Sequence, residues 1–414
     1  MIVTVTLNPS LDRAIEIDHL ARGDVIRARS GRLDPGGKGV NVSRALLANG
    51  VASRAVLPCG GDEGAQLVRL LAAEGVDLVA VPIGGHTRSN ITLAEPDGTV
   101  TKVNEPGPSL SAVEFDAVTG QALAAAGTAG WVVVCGSLPP GVTPAAFGRL
   151  CRRIVAAGVR LAVDTSGPAL RAAAEAGAHL VKPNREELSE VVGHPLPSRS
   201  DVVAAADRVR AWGAGAVLAS LGADGAILVT ADTVVSGAVV VPAPRSSVGA
   251  GDALLAGFLA ALTRSAGTGP DRDAGGAGIS SDTAAAATDE AGPQPVAVAD
   301  RVSRTGTTGA TDRSVPSGSA STSDDVGTDP TSEAGAAAAN GDGPAAVRRR
   351  QLVAALAEGL AWGAAAVSLP GSRMPRPEDL RRDAVVIHPD SDFVRYPGSA
   401  GLPDPSPTPE GSVR

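Results

Sequence analysis

Apolar residues along this chain come in short continuous runs, separated by stretches where they recur every three or four positions. The runs Ile2–Leu7, Ala52–Leu57, Trp131–Cys135, Arg160–Asp164, His179–Val181, Ala216–Ser220 and Ala226–Thr230 predict strands. Helical spacing covers Gly39–Asn49, Gly64–Glu74, Ala112–Ala125, Pro144–Ala157, Arg185–Val192 and Asp201–Trp212, and later Ala250–Arg264 and Val347–Ser368. Strands alternating with helices predict an α/β fold, a mostly parallel central sheet with helices on both faces. Two stretches break the rhythm. Residues 13–33 and 87–105 hold short alternating runs with no helix between, Asn90–Glu95 and Val100–Asn104 among them. They predict a small separate β sheet, of the kind that serves as a lid. Ligands of such folds sit at the carboxyl ends of strands, so chemistry is expected just after strands.

Composition changes this picture in one place. Residues 265–346 are mostly Gly, Ala, Ser, Thr, Asp and Pro, with 12 acidic residues, 4 Arg, no Lys and no aromatic. Their net charge equals the −8 of the whole chain. Such a stretch buries too little apolar surface to offset its ordering entropy. It predicts a disordered insertion, read as a spacer, inside one domain of residues 1–390, with 391–414 a loose tail. Elsewhere, aromatics are only 2% of the chain, so Val, Leu, Ala and Ile must fill the core. The acidic balance argues against a nucleic-acid partner. Three cysteines, Cys59, Cys135 and Cys151, fit neither a zinc site nor a disulfide framework and predict reduced thiols in a cytoplasm. The N-terminal run lacks a basic leader, and no apolar run is expected to span a bilayer, so no membrane partner is expected.

The strongest chemical signal is Ser247-Val-Gly-Ala-Gly-Asp252, opening a helical stretch. Gly249 and Gly251 let backbone N–H groups face outward at a helix N-terminus, which binds anions. An Asp in the same turn is odd for simple phosphate binding, because like charges repel, and makes sense if it must take a proton from a hydroxyl next to an incoming phosphoryl group. A helix cap is an equal local reading of Asp252. Gly36-Gly37-Lys38-Gly39 is no P-loop, because Gly follows the Lys. The first strand ends in Asn8-Pro9-Ser10, which is no dinucleotide fingerprint. Only Lys38, Lys102 and Lys182 are lysines, and Arg fills every other basic position, so a need for lysine at some of them is indicated. In Val181-Lys-Pro-Asn-Arg-Glu-Glu187, Asn184 and Glu187 share a helix face. That suits water-mediated Mg2+ and, equally, a capping box.

Together these segments resemble the ribokinase-like carbohydrate kinases, in their phosphofructokinase B branch. The resemblance rests on Thr6-Leu-Asn-Pro-Ser-Leu-Asp12, Pro35-Gly-Gly-Lys-Gly-Val-Asn-Val42, Thr87-Arg-Ser-Asn90, Gly136-Ser-Leu-Pro-Pro-Gly141, Val163-Asp-Thr-Ser166, Val181-Lys-Pro-Asn184 with Glu187, Ser220-Leu-Gly-Ala-Asp-Gly225 and Val248-Gly-Ala-Gly-Asp252, in family order. It implies ATP and Mg2+ as cofactors and a small sugar phosphate as partner. Asp252 would be the base, and the backbone of Gly249, Ala250 and Gly251 would hold the transferring group. Asp12, Gly37, Asn41 and Asn90 would bind the sugar, and Lys38 with Arg88 its existing phosphate. Lys182, Asn184, Ser220, Gly222 and Gly225 would serve the nucleotide, with Asn184 and Glu187 toward the metal. In relatives the lid often makes the dimer contact, so a homodimer through it is an outcome the resemblance allows.

The Gly-Gly-Lys-Gly segment resembles the 1-phosphofructokinase and tagatose-6-phosphate kinase types. Two cations at the sugar's far end favour a phosphorylated acceptor. The implied reaction is phosphorylation of D-fructose 1-phosphate at its 6-hydroxyl. The alternatives are tagatose 6-phosphate, fructose 6-phosphate, or a non-catalytic sensor. One departure is Ser246-Ser247-Val248, where the family usually has Thr just before Gly-Ala-Gly-Asp. The insertion falls directly after the helix that follows Asp252.

Overall fold

The run Trp131–Cys135 is buried at every position, and an apolar strand of that kind needs cover on both faces. Trp131, Val133 and Cys135 face one layer of helices, and Val132 and Val134 face the other. This is the period of two that a strand imposes. The computed structural model describes residues 1–267 and 343–388, all within one unit, Met1–Gly269 with Asp342–Arg414.

Its elements, in chain order, are β1 (Ile2–Thr6), β2 (Ser10–Glu16), β3 (Ser30–Gly36), α1 (Lys38–Ala48), β4 (Ser53–Cys59), α2 (Gly61–Glu74), β5 (Leu78–Pro82), β6 (Arg88–Ala94), β7 (Val100–Val103), α3 (Ala112–Ala126), β8 (Trp131–Cys135), α4 (Pro144–Ala156), β9 (Arg160–Asp164), α5 (Gly167–Glu175), β10 (Leu180–Val181), α6 (Arg185–Val192), α7 (Arg199–Ala211), β11 (Val217–Ser220), β12 (Ala226–Val229), β13 (Val234–Val239), α8 (Ala250–Gly267), α9 (Pro344–Ser368) and β14 (Val385–His388). The large sheet runs β14-β13-β12-β11-β10-β9-β8-β1-β4-β5. It is parallel from β5 to β11 and antiparallel from β11 to β14. The expected mostly parallel α/β architecture is present.

One core layer packs Phe115, Phe147, Leu170, Leu188 and Val202 from α3 to α7 on the sheet. The other packs Leu46, Phe258 and Trp362 from α1, α8 and α9. Helices α8 and α9 meet backbone to backbone because Gly257 and Gly359 have no side chain: a Cβ there would lie 2.7 Å from the Trp362 ring and from the Leu254 carbonyl oxygen, respectively. Their contact buries Glu358, whose carboxylate accepts from Trp362 Nε1 at 2.9 Å and from Arg382 at 2.7 and 2.8 Å.

Two expectations need correction. The margins of the stretch 265–346 are helical, since α8 extends to Gly267 and α9 begins at Pro344; the rest of that stretch, and the tail 391–414, lie outside the described residues. An apolar run long enough to cross a membrane does exist. It is α9, with a mean hydropathy of 1.3 over its 18-residue window and 56% of that window buried inside the protein. Its apolar character is that of a core helix.

The two stretches that broke the rhythm form a second sheet of four strands, β3-β2-β6-β7. In it Ser10 lies between Gly36 and Arg88, and Asp12 between Asp34 and Asn90. Gly36 leads straight into α1, so this sheet hands its chain directly to a helix of the main core.

Candidate active site

The glycine turn opens α8 at the carboxyl ends of β9 and β10. Gly249 adopts a φ of 76°, a left-handed conformation that suits glycine. Its carbonyl accepts from Ala253 N at 2.8 Å, starting the helix. Asp252 is therefore inside the first helical turn, and the cap position falls to Gly249. The Asp252 side chain is buried, and its Oδ2 accepts from Asn41 Nδ2 on α1 at 2.9 Å. That bond crosses between helices, so Asp252 is not explained as a cap. Burial, then the nearby charge of Asp164, raise the Asp252 pKa to about 6, against the opposing pull of Asn41, Lys182 and Lys38. A carboxylate poised there is ionised at neutral pH yet ready to take a proton.

Beside this turn, Asp164 ends β9 and is fully buried. Lys182 Nζ lies 2.9 Å from its Oδ2, and Lys38 Nζ lies 2.8 Å from its Oδ1. Lys38 also reaches Glu187 Oε1 at 3.0 Å. A Cβ on Gly251 would sit 3.3 Å from Lys182 Nζ, so this ammonium lies against the glycine turn. Burial alone would lower the Lys38 pKa, but Asp164 and Glu187 hold it above its ordinary value. Burial would raise that of Asp164, but Lys182 and Lys38 hold it below.

Lys38 is therefore paired with two carboxylates. Its ammonium is engaged at β9 and α6, while Arg88 is held elsewhere, donating to Asn8 O at 3.0 Å and Glu105 O at 3.1 Å. The two side chains thus have different protein partners.

Asn184 and Glu187 form the capping box of α6, with Glu187 N donating to Asn184 Oδ1 at 2.7 Å and Asn184 N to Glu187 Oε2 at 2.9 Å. Among the described residues, no group of three or more His, Cys, Asp or Glu side chains is placed to hold a metal ion. One carboxylate and one amide still fit Mg2+ carried on phosphates, because that ion keeps waters and takes few protein ligands. Ser220 stands next to Asn184 in an isolated parallel bridge. Gly222 begins the single turn that follows β11. Gly225 has a packing reason: a Cβ there would collide with the carbonyl oxygen of Gly237 on β13.

On the small sheet, Asp12 Oδ1 accepts from Ser10 Oγ at 2.7 Å and Asn90 Nδ2 at 2.9 Å. A Cβ on Gly36 would overlap that carboxylate, and one on Gly37 would crowd Thr6 and Pro9. Bare glycine backbone is what brings β3 this close. Asn8 Oδ1, Asn41 Oδ1, Asn90 Oδ1 and Arg88 Nε are buried without hydrogen-bond partners. Native proteins leave few such atoms; Arg88 donates to Asn8 O, Asn90 to Asp12, and Asn41 to Asp252. A cleft of about 450 Å³ takes in Arg88, His86, Glu105 and Ser109, but not Asp252.

Sequence reasoning named Asp252, Asn41, Asp12 and Asn90, which the structure brings together in bonded pairs. It gave no role to Asp164 or Asn8, although both stand at strand ends inside quoted motifs. Position after a buried strand was the available signal.

Known proteins similar to this chain place it in a family. The sequence profile of the pfkB family carbohydrate kinases matches residues 5–296, and the chain belongs to that family. It is a phosphotransferase with a ribokinase-like fold. It is 38% identical over 267 residues to the 1-phosphofructokinase of Rhodobacter capsulatus, covering 63% of this chain and 84% of that protein. It is 36% identical over 268 residues to the ATP-dependent 6-phosphofructokinase isozyme 2 of Mycobacterium tuberculosis, covering 64% and 78%. The phosphofructokinase-2 of Escherichia coli, solved in complex with potassium, superimposes with a TM-score of 0.67 at 27% identity, covering 91% of this chain and 96% of that one.

Proposed function

We propose that this protein transfers the γ-phosphoryl group of ATP to the 6-hydroxyl of D-fructose 1-phosphate, giving fructose 1,6-bisphosphate and ADP. The observation that carries the reading is the buried Asp252 carboxylate, oriented by Asn41 in a glycine turn against which Lys182 lies. Asn41 occupies Oδ2, which leaves Oδ1 to accept the hydroxyl proton. The N–H groups of Gly249, Ala250 and Gly251 and the Lys182 ammonium stabilise charge on the transferring group, so their work is electrostatic positioning. Asp12, Asn90, Asn41 and the Gly37 backbone orient the sugar. Arg88 meets its distal phosphate. Ser220 and Gly222 border the nucleotide. Asn184 and Glu187 would hold Mg2+ through water, and the ion would neutralise phosphate charge.

With Lys38 engaged by Asp164 and Glu187, the choice of fructose 1-phosphate rests on the 1-phosphofructokinase relatives and on Arg88. Fructose 6-phosphate is the second reading, favoured by the 6-phosphofructokinase relatives. Both acceptors give the same bisphosphate, so the site distinguishes only which end carries the first phosphate. A coupled assay of ADP formation with fructose 1-phosphate, fructose 6-phosphate and tagatose 6-phosphate decides. We expect the highest kcat/KM with the first; a higher value with either other sugar would reassign the substrate.

The lid's exposed Val25, Val100 and Val103 support a homodimer through the small sheet. The three free cysteines support a cytoplasmic setting.

A further inference from the structure

Asp164 is a fully buried charged group beside the glycine turn to which the reaction above gives no task. A fully desolvated carboxylate is costly, and an ion pair held in a core contributes little that apolar packing could not replace. Its geometry is specific. Each oxygen carries a different ammonium, Lys38 on Oδ1 at 2.8 Å and Lys182 on Oδ2 at 2.9 Å. One cation on each oxygen fixes the spacing between the two. Lys182 lies against Gly251, the neighbour of Asp252 in sequence. Deprived of Asp164, its nearest buried anion would be the base itself.

We propose that Asp164 is a positioning residue for phosphoryl transfer: it holds Lys38 and Lys182 on its own two oxygens, which keeps Asp252 free for the sugar hydroxyl and keeps Lys182 aimed at the glycine turn. The inference rests on the reading of Asp252 as the base. A carboxylate clasped by an ammonium holds its charge more firmly and takes a proton less readily. The charged and titratable groups that act on Asp252 are Asp164 on β9, Lys182 after β10, Lys38 on α1 and the Cys135 thiol on β8, which burial keeps neutral. Of these, Asp164 acts through space to make Asp252 the stronger base.

The test is the pH dependence of kcat/KM for the full-length chain, with fructose 1-phosphate or fructose 6-phosphate, whichever turns over. In Asp164→Asn the acid limb moves to lower pH, kcat falls roughly 10²-fold, and the sugar KM stays within a few-fold. In Lys38→Met, where a cation near Asp252 is lost, the acid limb moves to higher pH. Substrate phosphates titrate near about pH 6 themselves, but identically for every variant, so the displacement between variants is the readout. A folded Asp164→Asn with a wild-type limb and kcat overturns the proposal. If that variant does not fold, Lys38→Met decides: a limb that stays or moves down overturns it. Asp252→Asn is measured alongside. Its retained activity would sink the base reading itself, whereas its loss with unmoved limbs in the other variants would sink only the role of Asp164.

Discussion

Charge is already paired where β9, β10 and α8 converge, whereas polar capacity is left open where β2, β3 and β6 converge. In the first region Asp164, Glu187, Lys38 and Lys182 occupy one another at 2.8–3.0 Å. In the second, the Asn8 and Asn90 amide oxygens and Arg88 Nε have no partner. Phosphoryl transfer needs donors that do not reorganise as charge develops, so charges paired before the substrate arrives suit that half. Sugar recognition needs groups that the ligand completes, so unpaired atoms suit the other. Asn41 on α1 joins the two, donating through Nδ2 to Asp252 and leaving its oxygen open.

This contrast can be broken in order of expected effect. Lys182→Met removes a cation from the paired half. It should lower kcat by roughly 10²–10³-fold with little change in sugar KM; steady-state kinetics with each substrate varied checks this, and a loss confined to KM would move Lys182 out of the transfer half. Arg88→Met removes a donor from the open half. Charge-assisted hydrogen bonds contribute about 1.5–3 kcal/mol, so the sugar-phosphate KM should rise roughly tenfold to a hundredfold while the ATP KM stays put. A larger effect on ATP would place the distal phosphate elsewhere. In the wild type, kcat/KM should fall as pH drops through about 6, because Asp252 loses its charge there; a profile flat down to pH about 4, an ordinary carboxylate value, would show that burial does not set this group. The smallest effect lies outside both halves. Ser111 accepts from Glu114 N at the start of α3, so Ser111→Ala should cost about 1 kcal/mol of stability, read by thermal unfolding, with kinetics unchanged.

Much of the fold was legible because buried parallel strands are written as continuous apolar runs. Trp131–Cys135 and Arg160–Asp164 match their strands residue for residue. Helix α5 was missed because Gly167-Pro168 resembles a turn, although proline in a first turn also starts a helix. Strand β13 was missed because Ser236 and Gly237 interrupt its apolar run, and β14 because it is short and joins the antiparallel edge late in the chain. In the site, Asp252 was legible because glycine turn, helix start and acid are adjacent. The aim of Lys38 was not. It depends on Asp164 and Glu187, 126 and 149 residues away, and a local Gly-Gly-Lys-Gly says nothing of which side of α1 the ammonium will take.

The most direct measurement is turnover and sugar-phosphate binding of Asp252→Asn, with folding confirmed by thermal unfolding. The amide keeps the size of the side chain and cannot accept the proton. The account predicts that binding survives while kcat falls by roughly 10³-fold or more, the upper range for a positioned base. Turnover near the wild-type rate in that variant would contradict it.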